Sequence, residues 1–221
     1  MAMKTIRCLL IGTLFCTVKS AIPCIDESIN ELDQEDPKLI KYIQDKLLSP
    51  PPLSRNLPED LNLTDFHNGN TFYSGLQGQY GQPLFLEKLF KPLMESGEKR
   101  FFIEAGSYDG LIGTNTLRME LDERWTGLLV EPNPKHYELT KLRHRNAWVT
   151  PACFSTKTHP EIVHFDAAES LGGIINEDND RKPGDGLRGA KERKTLTLQC
   201  VPFYSVIQAL GKNQKVSYLK Y

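Results

Sequence analysis

Residues 101–116, FFIEAGSYDGLIGTNT, and 125–132, WTGLLVEP, constrain the fold of this chain more than any other stretch. Phe101, Phe102 and Ile103 form the unbroken apolar run expected of a strand covered on both faces, as in a parallel sheet. Gly106 and Gly110 follow, and glycine permits a tight turn and lets backbone approach a ligand that a Cβ would hold off. Asp109-Gly110 is itself a turn pair. Leu117 and Leu121 recur at helical spacing, so a helix over 114–123 is expected to lay one side on the sheet and to present unpaired amides at its start. The second apolar run closes on Glu131. A strand, a glycine turn, a helix and a second strand ending in a carboxylate make the nucleoside-binding half of a Rossmann-type α/β domain, the carboxylate accepting from ribose hydroxyls.

Spacing chooses among nucleoside ligands. A dinucleotide site uses G-x-G-x-x-G so that pyrophosphate sits on the helix terminus, whereas this chain carries E-x-G-x-x-x-G, led by Glu104. A carboxylate at that place repels pyrophosphate and attracts an ammonium group, which favours S-adenosylmethionine over NAD. By spacing alone the same glycines and glutamates also describe ordinary strand-to-helix corners, and both readings stand at this point.

The start of the chain bears on its destination. Lys4 and Arg7 precede the apolar run Cys8–Val18, and Val18 and Ser20 are small enough for signal-peptidase pockets, so residues 1–20 read as a secretory signal cleaved before Ala21. The run is shorter than the roughly 20 apolar residues of a membrane span, so membrane association is expected only if the signal stays uncleaved. Asn62-Leu63-Thr64 is an N-glycosylation acceptor, consistent with the lumen of the endoplasmic reticulum or Golgi, or with secretion. Cys24, Cys153 and Cys200 remain after cleavage. Cys153 and Cys200 end the strand-like runs 146–153 and 195–200, so they form either a disulfide or two buried thiols; an oxidising compartment favours the bridge, with Cys24 left over.

Residues 21–98 read as an extension of short helices and loops. Asp36 and Pro37 make an N-cap and first-turn pair, and Leu39, Ile40, Ile43 and Leu47 form one apolar stripe that stops at Ser49-Pro50-Pro51-Pro52. Residues 55–82, rich in Asn, Gly and Pro, read as an ordered or semi-ordered loop, and Leu84, Phe85, Leu89 and Phe90 mark a second helix whose aromatics are expected to pack. The main domain is expected over 99–221. With 221 residues and a formal charge of −1, the chain suits one domain with extensions, and no nucleic-acid partner is expected. The basic stretch 181–194 holds three glycines and a proline and reads as a solvated loop. His67, His136, His144, His159 and His164 are not at metal-ligand spacing, so no metal is expected, and no G-x-S-x-G elbow is present.

Several blocks together resemble a known family. Glu104-Ala105-Gly106, Asp109-Gly110, Asn115-Thr116-Leu117, the run 125–132, Asn146-Ala147-Trp148 and Pro151-Ala152-Cys153-Phe154-Ser155 resemble the FkbM-type methyltransferase domain, and more narrowly its version in the invertebrate Star-like proteins. Asp36-Pro37-Lys38-Leu39-Ile40, Leu48-Ser49-Pro50-Pro51, Gln199-Cys200-Val201-Pro202-Phe203-Tyr204 and Ala209-Leu210 extend the likeness over residues 36–221. The resemblance implies a Rossmann-like S-adenosylmethionine-dependent methyltransferase fold with cofactor contacts at Glu104, Gly106, Asp109, Gly110, Asn115, Glu131 and Ser155, with residues 152–155 beside the adenine. It implies O-methylation of a hydroxyl-bearing small molecule or glycan, or, in the Star-like branch, a non-catalytic role in moving growth-factor cargo through the secretory pathway. VSYLKY, residues 216–221, reads as the fourth parallel strand. In the family that strand runs into an acidic S-L-D-x-E-G motif facing the transfer site. This sequence stops at Tyr221 first, so a C-terminally truncated, inactive version of the fold is expected, with no catalytic residue assigned.

Overall fold

The computed structural model describes residues 25–53, 82–95, 97–120, 125–168, 172–175, 194–211 and 214–221. The signal segment, Cys24, Asn62 and nearly all of the basic stretch 181–194 lie outside the described residues. The chain divides into two compact units, one drawn from Met1–Leu47 and Ala152–Lys212, the other from Leu48–Pro151 and Asn213–Tyr221. Both are mixed α/β.

The second unit carries the glycine turn. Its sheet is built from β1 (Arg100–Ala105), β2 (Trp125–Val130), β3 (Ala147–Thr150) and β8 (Tyr218–Lys220) in the order β3-β2-β1-β8, every pair parallel. That order is the one found in half of an open doubly wound sheet, and it places VSYLKY as the fourth strand, as expected. Phe101, Phe102, Ile103, Leu128, Leu129 and Val130 are all buried, which is why both runs read as continuously apolar. Gly127 faces Phe102 in register, and a Cβ there would lie 2.2 Å from the Phe102 ring, so only glycine leaves that ring its place. Helix α2 (Gln82–Glu95) precedes β1, and Phe90 sets its ring edge-on to Trp125 and Tyr218, at centroid distances of 6.0 and 5.9 Å. Phe90 thus packs as expected, whereas Phe85 and Leu89 are exposed.

Helix α3 (Leu117–Glu120) starts later than the expected 114, because Gly113 adopts φ 70° and the Thr114 and Thr116 side chains bond elsewhere. Helix α4 (Pro134–Leu142) starts as its sequence dictates, with Asn133 accepting from Lys135 N and Pro134 in the first turn. Ser49 bridges the backbone of Val149 on β3, and its hydroxyl lies 2.9 Å from the Tyr137 phenol.

The first unit is built on a different sheet. β4 (Cys153–Ser155) pairs parallel with β7 (Thr195–Pro202), while β5 (Glu161–Asp166) runs antiparallel to both β7 and β6 (Gly173–Ile175), giving the order β4-β7-β5-β6. The run 146–153, expected as one strand, is two. β3 ends at Thr150, Pro151 supplies no N–H to continue a ladder, and β4 begins at Cys153 in the other sheet. That break aligns Cys153 with Cys200, and the two form a disulfide in the cluster with Phe165 and Leu198. Helix α1 (Pro37–Tyr42) opens on Asp36, which caps Lys38 N at 2.8 Å, and runs into a wider turn at Ile43–Leu47; Leu39, Ile43 and Leu47 are its buried stripe. Helix α5 (Phe203–Leu210) packs on this segment, and its buried Ser205 donates to the Gln34 carbonyl at 2.7 Å. No helix among the described residues is long and apolar enough to cross a membrane.

Candidate functional site

The candidate site lies where β1 and β2 end. Beyond β1 the chain turns through Gly106, Tyr108 and Gly110, all at positive φ, 73°, 54° and 75°. Gly106 has nothing within 4 Å of where a Cβ would stand, so its backbone is open to approach. Tyr108 is the costly member, since a bulky side chain rarely adopts that conformation. It is held there by neighbours: Thr140 donates to its carbonyl at 2.8 Å, and its ring lies 4.3 Å from that of His136.

The turn spends its amides internally. Gly106 N and Ser107 N both donate to Val130 O, at 2.9 and 3.1 Å, and Tyr108 N donates to Glu131 Oε2 at 2.8 Å. Asp109 accepts from Leu111 N and Ile112 N, and its other oxygen pairs with Arg143 at 2.6 Å. Asn115 N, at the start of α3, is bound by Glu104 at 2.9 Å. Just ahead of α3, Asn115 N and Thr116 N are therefore capped by side chains of the same turn.

Glu104 is fully buried, at 0 % exposure. Its Oε1 accepts from Asn115 N and from Lys220 Nζ at 3.2 Å, and its Oε2 accepts from Thr114 Oγ1 at 2.7 Å and Thr116 Oγ1 at 2.5 Å. A carboxylate offers about four acceptor sites, and all are used. Burial acts to raise its pKa, but Lys220, Arg145, Thr116 and Asn115 N outweigh that and hold the carboxyl below its usual range. Beside it, buried Arg145 donates to Glu120 and to the Gly110 carbonyl, both at 2.5 Å, and to Thr116 Oγ1 at 3.0 Å. Sequence reasoning did not find Arg145, Glu120 or Lys220. Glu120 falls three residues after buried Leu117 on the inward face of α3, which is the only local signal for it.

Glu131 is different. It too is buried, just beyond β2, and accepts from Tyr108 N and from Asn133 N at 2.9 Å, one on each oxygen. Among the described residues no further donor reaches it, so about two of four acceptor sites remain open. Burial pushes its pKa up to about 7, against the opposing pull of the Asn133 and Tyr108 amides and of Lys220. A ribose diol brings two O–H donors, the number left unfilled.

The remaining expected residues fall elsewhere. Asp109 and Gly110 brace the turn rather than line an opening, with Arg145 seated on the Gly110 carbonyl. Asn115 lines a separate cavity with Gln82, Tyr218 and Lys220. Ser155 belongs to the first unit, where its hydroxyl lies 2.9 Å from the His159 carbonyl and 2.8 Å from Glu161, two acceptors that share one proton. No group of three His, Cys, Asp or Glu side chains able to hold a metal occurs among the described residues. No family model, no curated protein and no solved structure matches this chain, so the reading of the site rests on its geometry.

Proposed function

We propose that the second unit binds a nucleoside cofactor through Glu131, and that the chain is a secretory-pathway protein of the FkbM methyltransferase type, built to hold S-adenosylmethionine for O-methylation of a hydroxyl-bearing small molecule or glycan. The observation that carries this is the half-filled carboxylate at the end of β2, oriented by Tyr108 N and Asn133 N, with about two acceptor sites that no described donor fills. The bare backbone of Gly106 beside it suits the close approach of a sugar. These two features support the ribose end of the cofactor. The amino-acid end does not fit at Glu104, whose acceptor sites are filled from within and whose cation is Lys220. When bound, the cofactor would supply a methyl group on a sulfonium; this chain's part is to orient the ribose, and no step is assigned beyond that. The Cys153–Cys200 disulfide agrees with an oxidising compartment.

One observation favours a second reading. Most of the turn's amides and all of Glu104's acceptor sites are bound from within the chain, which suits a Star-like protein that keeps the architecture for handling growth-factor cargo. Isothermal titration of S-adenosylmethionine into the chain and into Glu131→Gln separates the two. Saturable heat in the first and none in the second supports the cofactor reading, and no heat in either leaves the non-catalytic one.

A further inference from the structure

We propose that Thr140 is a positioning residue of the carboxylate site: by holding Tyr108 in the left-handed backbone conformation, its hydroxyl aims the Tyr108 amide at Glu131. The three residues belong to one unit, and the chain of contacts between them is short. Thr140 Oγ1 donates to Tyr108 O at 2.8 Å, and on the other side of the same residue Tyr108 N donates to Glu131 Oε2 at 2.8 Å. Tyr108 stands between them at φ 54°, a conformation that its own side chain disfavours and that its surroundings must maintain.

Thr140 is placed for this task. A threonine within a helix ordinarily turns its hydroxyl back to a carbonyl of the preceding turn. Here the residue is fully buried in the last turn of α4, and its single proton goes across to the glycine turn instead. Its methyl lies against the same turn, since a Cβ on Gly110 would stand 3.0 Å from Thr140 Cγ2. Thr140 is also one of a series. Asn133, His136, Thr140 and Arg143 recur at i, i+3, i+7 and i+10 along α4 and its two caps, which is one helix face. Asn133 N donates to Glu131 Oε1 at 2.9 Å, the His136 ring lies 4.3 Å from that of Tyr108, and Arg143 pairs with Asp109 at 2.6 Å. One helix therefore governs both hydrogen bonds that Glu131 accepts among the described residues, the first directly from its N-cap and the second through Thr140 and Tyr108.

The consequence for a ligand rests on the nucleoside reading; the positioning does not, and it is read on the ligand-free chain. Tyr108 N lowers the Glu131 pKa, so losing its aim moves the Glu131 titration, followed by the carboxyl carbon shift, further above about 7, while Lys220 and the Asp109–Arg143 pair stay as they are. Thr140→Val, which keeps the shape and removes the hydroxyl, is expected to give that shift. Thr140→Ser, which keeps the donor, is expected to give none. In Tyr108→Gly the backbone takes the left-handed conformation unaided, so adding Thr140→Val there leaves the titration in place. Adenosine affinity follows, about fivefold lower in Thr140→Val, the worth of one hydrogen bond, and restored in Thr140→Ser. A Glu131 titration unmoved by Thr140→Val, moved as far by Thr140→Ser, or moved again in the Tyr108→Gly background would overturn the proposal. If Thr140→Val does not fold alone, it is expected to fold in the Tyr108→Gly background, and failure there too would overturn it equally. A native chain that does not bind adenosine sinks the nucleoside reading, and the titration still decides the positioning.

Discussion

Glu104 and Glu131 stand at the ends of adjacent parallel strands, both buried, and the fold treats them in opposite ways. Glu104 receives two threonine hydroxyls, a backbone amide and a lysine, and is held ionised. Glu131 receives two backbone amides and is pushed toward neutrality. The difference teaches that burial alone does not mark a carboxylate as functional. What separates a clamp from a poised acceptor is how many of its lone pairs the chain itself fills.

The largest test of that contrast is removal of the clamp. Glu104→Gln strips the charge that Lys220 and the Arg145 cluster answer, and breaking such a buried arrangement costs about 3–5 kcal/mol, a large part of the stability of a domain. Urea unfolding measures it. Because the Glu104 pKa is lowered on folding, its contribution is present above the ordinary carboxylate range and is lost as pH falls through the lowered value, so the gap between variant and native chain narrows in acid.

Glu131 predicts the opposite slope. Its pKa rises from 4.5 to about 7 on folding, so the folded state holds the proton more tightly and stability declines as pH climbs through that window, by roughly 3 kcal/mol in all. Glu131→Gln removes the decline. The stability of the variant relative to the native chain therefore improves by that amount between the two ends of the window and levels off above it, as read by unfolding at a series of pH values. An unchanged gap would mean that Glu131 is not the half-satisfied group described.

Lys220→Met sharpens the comparison from the side shared by both carboxylates. Glu104 keeps three of its four donors, so stability falls by only about 1–2 kcal/mol given the partial exposure of the lysine. Glu131 loses the one charge that lowers its pKa, so its titration moves further above about 7, visible in the carboxyl carbon shift. Smallest is the effect on a ligand. If ionised Glu131 accepts from a diol, affinity for adenosine rises about tenfold from pH 6 to pH 8 as the ionised fraction grows.

Much of this was legible in the sequence and the rest was not, for definable reasons. The apolar runs at 101–103 and 128–130 announced a parallel sheet because both faces of each strand are covered, and Asp36-Pro37 and Asn133-Pro134 carry their helix starts in local chemistry. Glu131 was marked by its place at the end of a strand. Its satisfaction was not, because it depends on Tyr108 adopting a backbone conformation that nothing in its side chain predicts. The role of Glu104 was hidden for a related reason: its cation is Lys220, 116 residues away, and the pairing exists only once β8 lies beside β1. The division into two units was equally illegible, since each draws on separated stretches of chain and the proline between β3 and β4 sends them to different sheets.

The central claim is that Glu131 has two acceptor sites reserved for a sugar diol. Calorimetric titration with adenosine and with 2′,3′-dideoxyadenosine, which lacks both hydroxyls, tests it most directly. The account predicts saturable binding of adenosine that is lost with the dideoxy compound and lost again in Glu131→Gln. Equal binding of the two nucleosides, or none of either, would contradict it.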